Sequence, residues 1–426
     1  MAASDATFSD APRRADLDKC VHCGLCLNAC PTYRELHVEM DSPRGRIYQM
    51  VQVSNGAPIT ESYMEHIDLC LACRACETAC PSGVKYGRLV EAARADIVNR
   101  GPKTGSFLRT LVFEKLLPSR TLLKFAGYGM YVTQKLGLDK LGGLLPGLRA
   151  ITPLAPKVEM PFFYSQVGRV FPANGERKHR VAFLSGCIAN LCFARLNEAT
   201  VRVLQANGCE VTIPEDQTCC GALHVHAGLR DTARKLARQN IKALADGGFE
   251  AIITNAGGCG STLKEYDELL EDDPAAKRFS GLVKDVNEYL ASIELNTKMG
   301  EVRATVTYQD SCHLAHGQKV RSAPRQLLKQ IPGVTIKEMK MSDACCGSAG
   351  IYNVLHTDLS MSLLDKKMES VNATKAERIV TANPGCMLQL RAGVERQGHG
   401  QRVFHVVEML DEAYRNANRV VSEGCV

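Results

Sequence analysis

Sixteen of the chain's 19 cysteines fall into repeating patterns, and cysteine at fixed short spacing points to metal or redox chemistry. Cys20, Cys23, Cys26, Cys30 and Pro31 are echoed by Cys70, Cys73, Cys76, Cys80 and Pro81. Both runs have the C-x2-C-x2-C-x3-C-P spacing that holds two four-iron (4Fe–4S) clusters. The reason is reach. The first three cysteines let one tight loop wrap three corners of a cube, while the fourth opens a helix that points away and ligates the other cube. The expected assignment is therefore crossed: Cys20, Cys23, Cys26 and Cys80 on one cluster, Cys70, Cys73, Cys76 and Cys30 on the other. Pro31 and Pro81 bias the fourth ligands toward extended backbone. Structural zinc would favour pairs of C-x2-C, or C-x2-C with histidines, and a disulfide framework would need an oxidising compartment.

The other eight cysteines form two copies of a second pattern. Cys187, Cys219-Cys220-Gly221 and Cys259 return as Cys312, Cys345-Cys346-Gly347 and Cys386, at offsets of 125, 126 and 127 residues. A buried cysteine packs like a small apolar residue, but packing does not account for one four-cysteine pattern appearing twice. Adjacent cysteines do not comfortably bond each other, whereas they can bridge neighbouring irons, and Gly221 and Gly347 would let the backbone approach a metal. Cys192 and Cys209 have no counterpart in the second copy and read as packed or free thiols; Cys425 reads as a tail thiol. His313 and His316 follow Cys312, and His224 and His226 follow the first Cys-Cys-Gly. These four are candidates to hydrogen-bond cluster sulfur, ligate iron or protonate a quinone, with structural roles equally open.

The elements that must position these residues divide the chain into five parts. Residues 1–15 mix Asp, Arg, Ser and Ala without an apolar core and read as a disordered tail, not a signal peptide. Residues 16–100 read as an all-α two-cluster ferredoxin domain. Its 39-residue insert between Cys30 and Cys70 predicts a turn and helix from Pro43, with Ile47, Met50 and Val51, then a helix around Glu61–Ile67. Tyr86, Leu89, Val90, Ala93 and Ile97 then follow helical periodicity. Arg44 and Arg46 read either as charges that tune a cluster or meet a partner, or as a solvated helix start. Residues 101–178 read as a helical connector and proline-rich linker: a basic amphipathic stretch that either lies against a membrane surface or packs the first module against the second, followed by prolines 146, 153, 156, 161 and 172.

Residues 179–298 and 299–426 read as duplicated α/β domains. Each starts with a strand running into its first cysteine, Val181–Gly186 and Thr305–Asp310. A helix and a second strand follow (Val211–Ile213 and Thr335–Lys337), then Cys-Cys-Gly, a helix and a third strand (Ala251–Thr254 and Arg378–Thr381). Such alternation implies a small parallel sheet in each copy, with the cysteines at the carboxyl ends of strands, where open α/β sheets bind ligands.

Composition sets the outer limits. The formal net charge of +6 fits an anionic partner or membrane surface but decides little. No apolar run reaches the roughly eighteen residues of a membrane span. Tryptophan is absent and aromatics are few, which argues against stacking platforms for nucleic acid. The glycine-rich Gly257-Gly258-Cys259-Gly260 lacks the register of a nucleotide loop.

With these residues in view, the first module resembles the C-terminal domain of succinate dehydrogenase iron–sulfur subunits. The second half resembles the paired cysteine-rich "CCG" domains of heterodisulfide reductases and several dehydrogenase subunits, which end in C-x2-C and hold a non-cubane cluster in heterodisulfide reductase. This chain keeps only the second cysteine of that ending, with Ala256 and Asn383 in place of the first. Four cysteines per site leave open a non-cubane cluster, a simpler one or none.

End to end, the chain resembles the iron–sulfur subunit of bacterial glycolate oxidase. The resemblance is carried by the two ferredoxin runs, Ser42-Pro43-Arg44-Gly45-Arg46-Ile47, Asp310–Gly317, Cys345–Gly350 and Ala382-Asn383-Pro384-Gly385-Cys386. It implies an electron-transfer subunit with two 4Fe–4S clusters, and the CCG cysteines as sites for further clusters. It implies FAD-bearing partner subunits that oxidise glycolate to glyoxylate, a membrane quinone as acceptor, and a cytoplasmic location, peripheral on the membrane's inner face. The rival readings are a heterodisulfide-reductase-like subunit, the corresponding subunit of a lactate or glycerol 3-phosphate dehydrogenase, and a zinc scaffold.

Overall fold

A computed structural model describes residues 10–102, 107–138, 154–244, 247–271, 273–397 and 399–423. Two sheets dominate the second half. The first has strand order β1-β3-β2-β4-β5, built from Val170–Phe171 (β1), His179–Phe183 (β2), Cys209–Thr212 (β3), Ala251–Thr254 (β4) and Val283–Asp285 (β5). All its pairings are parallel except that of β1 with β3. The second has order β7-β6-β8-β9, from Ala304–Tyr308 (β6), Val334–Ile336 (β7), Arg378–Thr381 (β8) and Arg402–His405 (β9), parallel throughout. Apart from β1, the two orders are the same: second strand, first, third, fourth.

The expected three strands per copy are present, and each sheet has a fourth that the sequence did not suggest. β5 is only Val-Lys-Asp and β9 is Arg-Val-Phe-His, too short and too polar to show a strand period. The central strands were legible because helices cover both faces: Val181, Ala182 and Phe183 on β2, and Ile252 and Ile253 on β4, are fully buried, giving the continuous apolar run of a parallel strand.

The copies face each other through reciprocal pairs of helices. The Ala194–Ala206 helix of the first packs on the Val406–Glu423 helix of the second, and Val286–Ser292 packs on Ala323–Gln330. Each pair joins the helix after one copy's first cysteine to the last helix of the other. Arg202 closes the first contact with a fork onto Asp411, Nε and Nη2 each at 2.8 Å, and Asn207 Nδ2 donates to Tyr414 Oη at 3.1 Å.

The N-terminal module has no strand among its described residues. Its helices Pro43–Ser54, Glu61–Asp68 and Tyr86–Arg100 enclose a core of Leu17, Ile47, Met50, Tyr63, Ile67, Leu89 and Val90. The first starts as its sequence predicts: Ser42 Oγ accepts from Gly45 N–H at 3.0 Å and Pro43 occupies the first turn, a serine cap with a proline that needs no donor. The expected tail lies outside the described residues up to residue 9. From Asp10 the chain is docked, its carboxylate bonded to Arg230 and Arg234. The connector contributes a π-helical turn, Leu111–Leu116, and a helix, Arg120–Lys135, capped by Ser119. Residues 139–153 of the predicted amphipathic stretch, with Pro146 and Pro153, lie outside the described residues. No described helix is long and apolar enough to cross a membrane.

Candidate metal centres

Cys20, Cys23, Cys26 and Cys80 line one small cavity together with His22, Arg44 and Pro81. The last cysteine of the second run thus stands with the first three of the first run. Burial, ahead of the neighbouring Cys80 and Cys23, raises the Cys20 thiol. Cys23 is exposed to solvent. Arg44 roofs the loop: Nη1 donates to the His22 carbonyl at 3.1 Å while Glu39 holds Nε at 2.7 Å.

Cys30, Cys70, Cys73 and Cys76 form a second, buried set. Burial pushes the Cys73 and Cys76 thiols well up, and both also feel Cys30 and Cys70. Thr32 Oγ1 lies 3.2 Å from Cys30 Sγ, Ala72 N–H points to Cys70 Sγ at 3.4 Å, and Tyr86 Oη approaches the same sulfur at 3.8 Å. The structure thus places Cys80 with the first run's cysteines and Cys30 with the second run's. The solvated-helix reading of Arg46 is overturned, because its side chain is fully buried beside this set.

The duplicated cysteines also converge. Cys187 Sγ is 3.4 Å from Cys219 Sγ, and the Cys220 thiol faces those of Cys219 and Cys259. In the second copy the Cys345 thiol faces those of Cys312 and Cys346, and the Cys346 thiol faces that of Cys386; all four are free cysteines. Hydrogen bonding to Cys219 and to Cys346 respectively, then burial, pushes the Cys187 and Cys386 thiols well up. Cys187, Cys259, Cys312 and Cys386 follow the carboxyl ends of β2, β4, β6 and β8, as expected for this sheet type.

The donor chemistry fits iron–sulfur clusters. Crowded, buried thiols resist ionisation, and a coordinated metal supplies the positive charge that turns each into a thiolate. Among the described residues no group of three or more His, Cys, Asp or Glu side chains is drawn together as for a single ion; a cube asks instead for one thiolate at each of four separate irons.

Lys367, which sequence reasoning passed over, and Asn383 make the duplicated sites unlike each other. Lys367 is buried on the helix after the second Cys-Cys-Gly, donating to the Met341 carbonyl at 2.7 Å. Burial lowers its pKa, against the opposing pull of Cys346 and Cys345. On the equivalent helix of the first copy, neutral Asn240 donates to the Cys219 carbonyl at 3.0 Å. Asn383, in place of the absent cysteine, donates to Cys386 Sγ at 3.4 Å; Ala256 offers the first site no such bond. A buried lysine leaves no signal in hydropathy.

The histidines separate. His224 Nε2 meets the Phe113 carbonyl at 2.6 Å and ties down the connector. His316 lies between Thr78 Oγ1 at 2.9 Å and the Asp343 carbonyl at 3.1 Å. His313 Nδ1 lies 3.6 Å from Cys312 Sγ, and its ring is 5.2 Å from that of His226, which pairs with Glu91 at 3.0 Å. Burial lowers His313 to about 3, so it is neutral at pH 7. Cys192 and Cys209 are buried, with Cys192 near Cys187; Cys425 lies outside the described residues.

Gly221 and Gly347 bring their backbone N–H groups to Cys219 Sγ and Cys345 Sγ, each at 3.5 Å, and they serve packing as well. Both have left-handed backbones, and a Cβ on Gly347 (φ +90°) would come within 2.4 Å of the Ser360 carbonyl oxygen. At Gly221 (φ +80°) the nearest atom, Ala233 Cα, is 3.4 Å away. The glycines let the following helix close on the cysteine loop. Gly347→Ala is expected to cost about 3 kcal/mol and Gly221→Ala about 1–2 kcal/mol. Denaturant midpoints at unchanged slope measure both, and equal losses would refute the packing argument.

The buried ferredoxin set and the second duplicated set meet. Cys73 and Cys345 share one apolar cluster with Leu71, Tyr352 and Leu363, and Cys312 packs against it. Arg74, the residue after Cys73, reaches Ser261 Oγ at 3.1 Å and pairs with Glu265 of the first copy. Arg94 Nη2 donates to the Cys70 carbonyl at 2.5 Å, while its Nη1 donates to that of His226 at 3.0 Å. The ferredoxin module is therefore clamped to both copies.

Comparison with known proteins agrees with this geometry. Residues 16–84 match the 4Fe-4S dicluster domain, and residues 181–264 and 306–391 match the cysteine-rich domain. Residues 104–154 match the linker region of the glycolate oxidase iron-sulfur subunit. The chain is 42% identical to the probable glycolate oxidase iron-sulfur subunit of Bacillus subtilis, over 95% of this chain and 96% of that one. The chain belongs to the glycolate oxidase iron–sulfur subunit family. The Escherichia coli member is 35% identical over 93% of this chain and 94% of its own length. A fumarate reductase (CoM/CoB) subunit of Methanothermobacter marburgensis is 28% identical, over 93% of this chain and 72% of its own. Membership makes the chain an electron-transfer iron–sulfur subunit of an oxidoreductase complex, and the rival readings are not favoured.

Proposed function

We propose that this subunit serves an oxidase that converts glycolate to glyoxylate on FAD-bearing partner chains, and that it delivers electrons to a membrane quinone from the cytoplasmic side. Cys20, Cys23, Cys26 and Cys80 would hold one 4Fe–4S cluster and Cys30, Cys70, Cys73 and Cys76 the other. Cys187, Cys219, Cys220 and Cys259, and Cys312, Cys345, Cys346 and Cys386, are assigned to further iron–sulfur centres. The ferredoxin domain is taken as residues 16–100, the connector as 101–178, and the CCG domains as 179–298 and 299–426.

One observation carries the reading: the cysteine sets follow one another from solvent-exposed Cys23 to the buried contact of Cys73 with Cys345. When bound, iron–sulfur clusters supply one-electron carriers whose potentials follow ligation, hydrogen bonds to sulfur and burial. The chain's own residues set those conditions. Leu71, Tyr352 and Leu363 exclude water between the two buried sets. Lys367 and Asn383 place a positive charge and a donor at the second duplicated site, and both favour its more negative, reduced form.

The test is iron and sulfide quantitation on the anaerobically purified complex, together with its glycolate–quinone turnover. Two cubes require about eight irons per chain, and loaded duplicated sites raise the count above that. Turnover is expected to fall in proportion to iron removed. Full quinone-linked turnover by an iron-free preparation would overturn the reading.

A further inference from the structure

Among the described residues, the Arg120–Lys135 helix is packed on one side only. Leu123 is buried in the core of the first CCG domain, and the rings of Tyr128 and Phe162 lie 4.8 Å apart. Leu122, Phe125, Tyr128, Val132 and, just past the helix, Leu136 are exposed, Phe125 to 70% and Leu136 to 67%. At about 100° per residue these positions share one face. Isolated exposed apolar residues are ordinary; a continuous stripe of them along one helix is not.

The charge around the stripe says what covers it. Residues 107–138 contain Arg109, Lys115, Arg120, Lys124 and Lys135 against a single acid, Glu114. An apolar face with aromatic side chains, bordered by cations, is the build of a helix lying in the plane of a bilayer interface. A second copy of this chain would bring like charges together, which disfavours self-association through this face.

We propose that this helix seats the subunit on an anionic membrane surface, with Phe125, Val132 and Leu136 at headgroup depth and the exposed Lys115 and Lys135 on lipid phosphates. The inference rests on the reading of a quinone acceptor and names the element that brings the subunit to the membrane. The same helix packs on the first CCG domain, where Tyr164, which lies under Arg120 and Lys124, donates to the Cys187 carbonyl at 3.2 Å. The membrane face is therefore joined to the cysteine loop of that domain.

The experiment is sedimentation of the assembled complex with phosphatidylcholine vesicles, with and without phosphatidylglycerol. Wild type is expected to bind the anionic vesicles, and to be released by salt. Phe125→Ser with Leu136→Ser should weaken partitioning about tenfold or more. Lys115→Gln with Lys135→Gln should weaken it about fivefold per cation, on anionic vesicles alone. Iron content is expected to stay at the wild-type level in both, since all four side chains are exposed. Wild type left in the supernatant, variants that bind as well as wild type, or equal binding to neutral vesicles would overturn the proposal. So would variants that keep vesicle binding but shed partner subunits, which would mark the face as a subunit interface. Vesicle binding without quinone reduction would refute the acceptor reading alone, and quinone reduction without vesicle binding would refute this one alone.

Discussion

Replacing Cys30 by serine is expected to remove about four of about eight ferredoxin-module irons and to leave the surface site loaded. The expectation follows from where Cys30 lies: buried beside Cys73 and Cys76, although it is only four residues from Cys26 in the chain. Pairing with a second substitution makes the result decisive. Cys30→Ser combined with Cys73→Ser should cost no more iron than either alone, because both would strip the same cluster. Cys30→Ser combined with Cys23→Ser should cost about eight irons, because it would strip both. An uncrossed arrangement reverses these outcomes, so iron counts on four purified variants separate the two. Quinone-linked turnover should fall by more than about a hundredfold in the single variant, since loss of a group that merely hydrogen-bonds a metal ligand costs 10–100-fold.

That prediction could be written from the sequence because cysteine spacing constrains geometry directly: a loop either reaches three corners of a cube or it does not. The same holds for the sheets, where β2 and β4 were legible from apolar runs buried on both faces. It fails where a side chain's role depends on remote partners. Arg46 follows Ser-Pro-Arg-Gly and reads locally like any exposed helix start, yet it is fully buried. Its destination is set by Thr32, Asp41 and His66, none of them within one helical turn of it. His226, His313 and Glu91 come from three different modules and meet only when those modules dock. Lys367 and Asn240 sit on equivalent helices, but the difference in charge between the duplicated sites emerges only once the helices are seen against their cysteines. Periodicity finds faces; it does not find which face of one module meets another.

Arg46 is also where substitution should damage the protein most without touching a cysteine. Its Nε donates to the His66 carbonyl at 2.6 Å, Nη1 to the Asp41 carbonyl at 2.6 Å and to Thr32 Oγ1 at 3.1 Å, and Nη2 approaches Asp41 Oδ1 at 3.3 Å. One guanidinium thus joins the Pro43–Ser54 helix to the loop before it, to the end of the Glu61–Asp68 helix, and to the threonine beside Cys30. Burial works against its charge, but Tyr86, Cys70, Cys30 and Asp41 together hold its pKa above the usual arginine value. Arg46→Ala would leave the Asp41 carboxylate and two carbonyls with fewer partners in a space closed to water. Breaking a buried pair from one side costs about 3–5 kcal/mol, and the denaturant midpoint of the iron-loaded chain should register that loss. Arg46→Lys keeps the charge but not the planar fork, so its stability should fall between that of Arg46→Ala and that of wild type. Because a cation stabilises the reduced form of a nearby cluster, the buried site's reduction potential should drop in Arg46→Ala and stay near wild type in Arg46→Lys. A potential that falls equally in both variants would mean that the hydrogen bonds, not the charge, are what Arg46 contributes to the cluster. A wild-type midpoint with full iron in Arg46→Ala would show that the buried network is dispensable, and the account of how this module holds its inner site would have to be abandoned.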